Sequence, residues 1–385
     1  MKKIWILVVL ILVIVALIFF GLKLFKKDSS NLSQSPSDNK SKEAETSTGT
    51  KYSFEEISTT KIEAAPMWLF AVPDDKDKVV LSAEENGVIK MGFFDLSNPT
   101  KAVSWKTIIS SSDIGGKRVA DHWHEFKNGF HWISFSISEA NTGYIMKVDG
   151  DLNRVALVKA AEKEQLTAND LPANAPNNTL DMPTNDMFLI PDDNGVSVGF
   201  FLPAKGHRMF QFDSDLNLKT KTDIGGGNYQ HGNGSSAIKT SSGFDLLASE
   251  SISYLQEGSL KLIKFDASWV PQSVTTLFDE KGVSIGMVSG LYLDDGSLVV
   301  NARVNREAYS QEEMLKKAPP GSGGLSDDGA DIERLHFDAS GNLLSTTKIY
   351  EGKSGHRPHT SKIGDKLITT WDSGAYLRID KIIAK

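Results

Sequence analysis

Residues 210–219 read FQFDSDLNLK. Phe210 and Phe212 alternate with Gln211, the period of a strand that buries one face. The strand stops at Asp213 and a polar turn follows. A carboxylate at that point can accept from backbone N–H groups two or three residues on, which is how Asp fixes a turn. The same pattern recurs in GFFDLSNPTK (Asp95), MKVDGDLNRV (Asp149), IKFDASWVPQ (Asp266), LHFDASGNLL (Asp338) and LRIDKIIAK (Asp380). Successive copies lie 54, 64, 53, 72 and 42 residues apart. Two further strands joined by a tight turn precede most copies, as in LYLDDGSLVVNARV and SKIGDKLITTWDSGAYLRID.

Repeats of this length, each holding several strands, predict the blades of a β-propeller. The recurring Asp is expected at the turn from third to fourth strand of each blade. Only five residues follow Asp380, so the sixth blade is short of an outer strand. The strand-like segment Tyr52 to Glu63 has no partner of its own. It is expected to complete that blade, closing the ring and removing two sheet edges. The fold expected is therefore all-β, a six-bladed β-propeller closed by an N-terminal strand and preceded by one transmembrane helix. A β-sandwich array is the alternative. One stretch reads as helical, Ala308 to Ala318, inside the long insertion Asn305 to Asp331. That insertion and the linker Glu162 to Asp186 are expected on the face where ligands bind, as a lid or partner-binding arm or as a plain surface excursion.

Outward from the repeats, the chain begins differently. Ile4 to Leu22 is nineteen residues without a charge, long enough to span roughly 28 Å as a helix. It lacks a small-residue cleavage site and reads as an uncleaved anchor within residues 1–27, a long signal peptide being the other reading. Residues 28–51 are Ser-, Asn-, Lys-, Glu- and Thr-rich and read as a disordered polar tether. Lysines flank the helix on both sides, so charge alone leaves orientation open. The bulk of the chain follows the helix, so residues 52–385 are expected outside the cytoplasm, on a single-pass cell-membrane protein.

Composition excludes several chemistries. No cysteine is present, which removes disulfides, thiolate metal sites and thiol nucleophiles. Net charge is −7, with eight lysines against four acids in residues 1–51, so residues 52–385 carry −11. An acidic domain without a basic stripe does not suit nucleic acid. DGDLN and DSDLN begin like calcium loops, but they fall at the blade turn and no Glu follows at the twelfth position. GGGNYQHGNG lacks the Lys-Ser/Thr ending of a phosphate loop. No metal is assigned, and the cofactor is left open, none being strongly implied.

At the level of repeat architecture, residues 52–385 resemble the six-bladed β-propeller superfamily, whose ligand sites that resemblance places on loops at one face of the central channel. The sialidase box and the tryptophan-aspartate signature are absent. On this plan Asp121, His122 and His124 (ADHWHEF), His231 (GGGNYQHGNG), and His356, Arg357 and His359 (SGHRPHT) precede inner strands. His207 (AKGHRMF) lies between a second and a third strand, beside Arg208. Together they form the expected ligand-binding candidates, a His-lined mouth. The arrangement resembles that of periplasmic arylsulfotransferases, which implies a transferase or hydrolase acting on an anionic or glycan substrate. The residues themselves favour a module that binds a protein or glycan, since no catalytic constellation stands out; polar loop residues capping strand ends account for the same histidines.

Overall fold

The computed structural model describes residues 52–63, 67–137, 142–161, 187–202, 206–225, 234–250, 255–317, 330–351, 357–372 and 374–385. The expected anchor (4–22) and tether (28–51) lie outside these. Among the described residues no helix is long and apolar enough to cross a membrane.

Among the described residues, twenty-four strands form six antiparallel sheets of four. Strand β1 (Tyr52–Lys61) begins the domain. Blade 1 is β2 (Met67–Pro73), β3 (Val79–Glu85), β4 (Val88–Phe94) and β5 (Lys106–Ile109). Blade 2 is β6 (Val119–Lys127), β7 (Phe130–Ile137), β8 (Thr142–Asp149) and β9 (Arg154–Ala161). Blade 3 is β10 (Phe188–Pro191), β11 (Gly195–Leu202), β12 (Gly206–Asp213) and β13 (Leu218–Gly225). Blade 4 is β14 (Ser235–Lys239), β15 (Gly243–Ser249), β16 (Leu260–Asp266) and β17 (Pro271–Phe278). Blade 5 is β18 (Ser284–Tyr292), β19 (Leu298–Asn305), β20 (Asp331–Phe337) and β21 (Leu343–Tyr350). Blade 6 joins β22 (His359–Ile363), β23 (Lys366–Trp371) and β24 (Tyr376–Ala384) to β1, which pairs antiparallel with β24 from Tyr52↔Ala384 to Lys61↔Tyr376. The first strands β2, β6, β10, β14, β18 and β22 pack neighbour on neighbour, and β22 packs on β2, so the ring is a six-bladed propeller.

Alternation along each strand buries both faces between blades, and each seam carries its own apolar cluster. Trp132, Ile145 and Phe210 pack between blades 2 and 3, and Leu262, Ile285 and Leu335 between blades 4 and 5. The seam between blades 5 and 6 is the exception: among the described residues, only Leu293, Val299 and Leu367 are fully buried in its cluster. Polar groups fill the remainder. Asn301 Nδ2 donates to Thr360 Oγ1 at 2.8 Å and Thr369 Oγ1 at 2.9 Å. Arg334 Nη2 donates to Asp380 Oδ2 at 2.8 Å. Phe54 of β1 covers this seam, 4.8 Å beneath the Arg334 guanidinium and 5.4 Å from the His336 ring.

Five of the six recurring aspartates make the expected turn. The Oδ1 of Asp149, Asp213, Asp266 and Asp338 accepts from the N–H groups two and four residues on, at 2.8–3.1 Å. Asp95 accepts from Ser97 and Asn98. Hydrogen bonds hold the carboxyls of Asp149, Asp213 and Asp338 below their ordinary pKa, led by the Asn153 N–H, the Lys219 ammonium and the Asn342 amide in turn. Asp380 departs from the pattern. It sits inside β24, opposite Glu56 and Leu367, and no turn follows it. The strand continues because Ile382 and Ile383 follow Asp380 instead of Gly, Asn or Ser.

The third residue after Asp in four of these turns takes a left-handed backbone: Leu152 (φ 61°), Leu216 (φ 64°), Trp269 (φ 63°) and Gly341 (φ 87°). A side chain there costs about 1–2 kcal/mol of strain. Leu152 and Leu216 offset it by burial in the core. Leu216→Gly loses the burial but relieves the strain, whereas Leu216→Ala loses the burial and keeps it. Leu216→Gly is therefore expected to be the more stable of the two by about 1 kcal/mol. Urea denaturation reads this order, and equal midpoints would contradict it.

The helical stretch is shorter than expected. Helix α1 (Gln311–Lys317) starts where Ser310 and Glu313 cap one another, Ser310 N donating to Glu313 Oε2 at 2.9 Å and Glu313 N to Ser310 Oγ at 3.3 Å. The root of the insertion is tied to blade 4, with Tyr309 N donating to Leu255 O at 2.7 Å and Glu257 N to Tyr309 O at 2.9 Å. Residues 318–329, like the linker 162–186, lie outside the described residues.

Candidate functional site

Strand β6 carries most of the candidates. Its sequence alternates so that His122, His124 and Phe126 project to one side and Asp121, Trp123, Glu125 and Lys127 to the other. Asp121, His122 and His124 were expected in a loop ahead of this strand. They lie within it, buried between blades, because alternation continues through polar residues that find partners there. His122 Nε2 shares a hydrogen bond with Ser82 Oγ of β3 at 3.0 Å. His124 Nε2 shares one with His131 Nδ1 of β7 at 3.0 Å.

Three inner strands meet where Arg357 precedes β22. Its Nη1 donates to both carboxylate oxygens of Asp121 at 3.2 Å. Its guanidinium lies 4.9 Å from the centre of the Trp68 ring and 5.8 Å from that of Trp123. Trp68 has a left-handed backbone (φ 63°), and its Nε1 donates to Ala120 O at 2.9 Å. Phe70 stands between two imidazoles, 4.8 Å from His122 and 4.8 Å from His359. Asp121, His122, Arg357 and His359 thus come together from blades 2 and 6 around aromatic rings of blades 1 and 2.

His207 does not join them. It is the second residue of β12, packed on Phe188 at 4.8 Å and Phe201 at 6.2 Å. Arg208 pairs with Asp223 at 2.6 Å. His231 and His356 lie outside the described residues. No group of three or more His, Asp or Glu side chains suited to a metal ion occurs among the described residues.

Burial governs the charge state of the cluster. It pushes His122 and His359 down to about 3 and His131 to about 4, and holds His124 well below its ordinary pKa. The Arg357 charge adds to the effect at His122. All four rings are neutral at pH 7.

The inner strands also enclose a cavity of about 470 Å³. All six inner strands line it, through Val72 and Pro73, Glu125 to Lys127, Leu189 to Asp193, Ala237 to Lys239, Gly290 and Leu291, and His359 to Lys362. These are the closing residues of most of the inner strands, so the cavity lies at the end of the ring away from the expected loop face. Glu125, absent from the sequence-based candidates, stands in its wall. Its Oε1 accepts from Trp123 Nε1 at 2.9 Å. Burial pushes its carboxyl up to about 7, against the lowering effect of that bond. Among the described candidates, His359 alone lines this cavity, and it also packs against the Trp123 ring.

No protein-family model matches this chain, and no curated protein matches it. Solved structures do. The chain is similar to the Dos1 propeller, at 11% identity over 82% of this chain and 68% of that one, with a TM-score of 0.40. A subtype N10 neuraminidase-like protein of A/little yellow-shouldered bat/Guatemala matches at 10% identity over 86% and 99% of the two chains, TM-score 0.48. The Raptor protein of Chaetomium thermophilum matches at 10% identity over 87% of this chain and 30% of its own, TM-score 0.44.

Proposed function

We propose that this chain is a binding module: a propeller closed on itself by β1, tethered to a membrane through residues 4–22 and displayed outside the cytoplasm. The observation that carries the binding role is the central cavity, walled by every blade. Rigid scaffolds that converge on one concave, partly apolar site with a few polar groups are the usual setting for ligand capture. The cavity lies beneath the residues first expected to bind, so the ligand site is assigned to the channel end opposite the expected loop face. The membrane tether is supported by the nineteen uncharged residues from Ile4 to Leu22.

One observation favours a second reading, an enzyme acting on an anionic or glycan substrate. Glu125, held near neutrality, and His359, held neutral, share a cavity wall, and carboxyl and imidazole with separated pKa values suit acid–base chemistry. Turnover of a bound compound would select this reading.

Topology is tested on intact cells. The full chain is expected in the membrane fraction after carbonate washing, and external protease is expected to cut within 28–51 and release the folded domain. Recovery in the soluble fraction, or protection from external protease, would overturn the tethered reading.

A further inference from the structure

Resting on the binding role assigned to the central cavity, we infer that its ligand is a small, uncharged, hydroxyl-rich molecule of the neutral mono- or disaccharide class, held by Glu125 and Ser361 and by the free edges of the inner strands.

Charge is the first argument. Five charged side chains stand around the cavity besides Glu125: Lys127, Lys239 and Lys362 against Asp192 and Asp193. Lys127 pairs with Asp193 at 3.0 Å, and Lys362 with Asp294 at 2.7 Å. Neither sign is left in excess to select an ion. His359, which lines the same cavity, is neutral, and Glu125 itself carries a proton through the acid side of neutrality. A charged ligand would lose its hydration without a matching counter-charge.

Hydrogen-bonding capacity is the second. Each inner strand is the terminal strand of its sheet, so, apart from groups already paired such as Thr360 N with Ser289 Oγ, the six edges offer N–H and C=O groups in alternation toward the axis. A hydroxyl both donates and accepts and therefore matches such an edge in either register. The Oγ of Ser361 and the Nδ1 of His359 are buried in the wall without a hydrogen-bond partner among the described residues. A buried polar atom left unpaired is destabilising by about 1–3 kcal/mol, and a ligand hydroxyl reached by rotation of the Ser361 side chain removes that cost. Volume is the third, since 470 Å³ falls within the roughly 300–1,000 Å³ of small-molecule sites.

Calorimetry on the full chain in detergent tests this with two sets of probes. One set is neutral: glucose, maltose, cellobiose, trehalose and diacetylchitobiose. The other is charged: glucose 6-phosphate, glucosamine and glucuronate. At least one neutral sugar is expected to bind, at least tenfold more tightly than any charged probe. Its affinity should fall several-fold between pH 6 and pH 8.5 as Glu125 loses its proton. Glu125→Gln, which remains a donor at every pH, should keep the pH 6 affinity and abolish the fall. Ser361→Ala should weaken binding about tenfold with an unchanged pH profile. Binding of charged probes alone would overturn the ligand class while leaving the cavity a binding site. Neutral-sugar binding indifferent to both substitutions would place that site elsewhere. Binding of neither set would overturn the inference together with the small-ligand form of the binding role.

Discussion

Asp380→Ala is expected to cost about 3–5 kcal/mol of folding stability, a loss large enough to threaten the fold from one side chain. Asp380 and Arg334 are both wholly buried, and the pair bridges the seam between blades 5 and 6. Burial alone would raise the Asp380 carboxyl pKa, but hydrogen bonds from Arg378 and Arg334, with their charges, carry it below the ordinary value. Removing the carboxylate strands Arg334 in a cavity whose other acceptors, Asn301 Oδ1 at 3.2 Å and Thr369 Oγ1 at 3.3 Å, are neutral. It also cuts Arg378 loose on one side, leaving that residue its 2.9 Å contact with Glu56 of β1. Other seams would absorb such a loss through apolar contact, but this one has the smallest buried cluster among the described residues. Urea denaturation of the single variant, of Arg334→Met and of the double variant measures the coupling. The double variant should be more stable than Asp380→Ala, because an apolar pair is easier to bury than a lone guanidinium. A single variant within about 0.5 kcal/mol of wild type would show that the pair is not the bridge described.

Acid is expected to destabilise the domain from about pH 6.5 downward. His122, His124, His131 and His359 are neutral in the fold, with pKa values pushed far below the ordinary 6.5 by burial. In the unfolded chain the same rings take up protons as pH falls through about 6.5. The unfolded state then binds more protons than the folded one, so stability falls with pH from about 6.5 toward 4. Each ring contributes a loss on the order of 1–2 kcal/mol by pH 5. Glu125 acts in the opposite sense. Its carboxyl, pushed up to about 7, costs stability as pH rises from about 4.5 to 7. Four rings outweigh one carboxyl, so the urea midpoint should be clearly lower at pH 5 than at pH 7.5. A His122→Asn, His359→Asn variant should have a flatter profile. A midpoint that does not move over this range would contradict the neutral assignment.

Much of this fold could be read in the sequence because its turns are chemical. Asp followed by Gly, Ser or Asn fixes a turn locally, and five copies behave accordingly. The sixth copy misleads because strand-then-Asp also describes a buried ion pair, and only Ile382 and Ile383 beyond it reveal a continuing strand. The site was less legible. In VADHWHEFK the polar residues suggest a loop, whereas their alternation spells a strand; period carried more information than polarity. Glu125 was readable in that same string as the third residue, after Asp121 and Trp123, on one side of the strand, but its raised pKa arises from blades distant in sequence. Arg357 lies ahead of an inner strand as expected, whereas His359 is the first residue of that strand. Their partners Trp68, Phe70 and Asp121 come from hundreds of residues away, and no local signal announces such a meeting.

The pairing of Tyr52 with Ala384 sets the order in which this domain can mature. Strand β1 is the first of the domain to leave the ribosome, yet its partner is the last. Until β24 is translated, β1 and β23 each present a naked edge to whatever else is nearby, an invitation to mispairing. Contacts spanning nearly the whole chain also make folding slow. A frameshift or early stop that removes only β24 would therefore do damage out of proportion to its length, leaving the other five blades intact in sequence but without a finished ring.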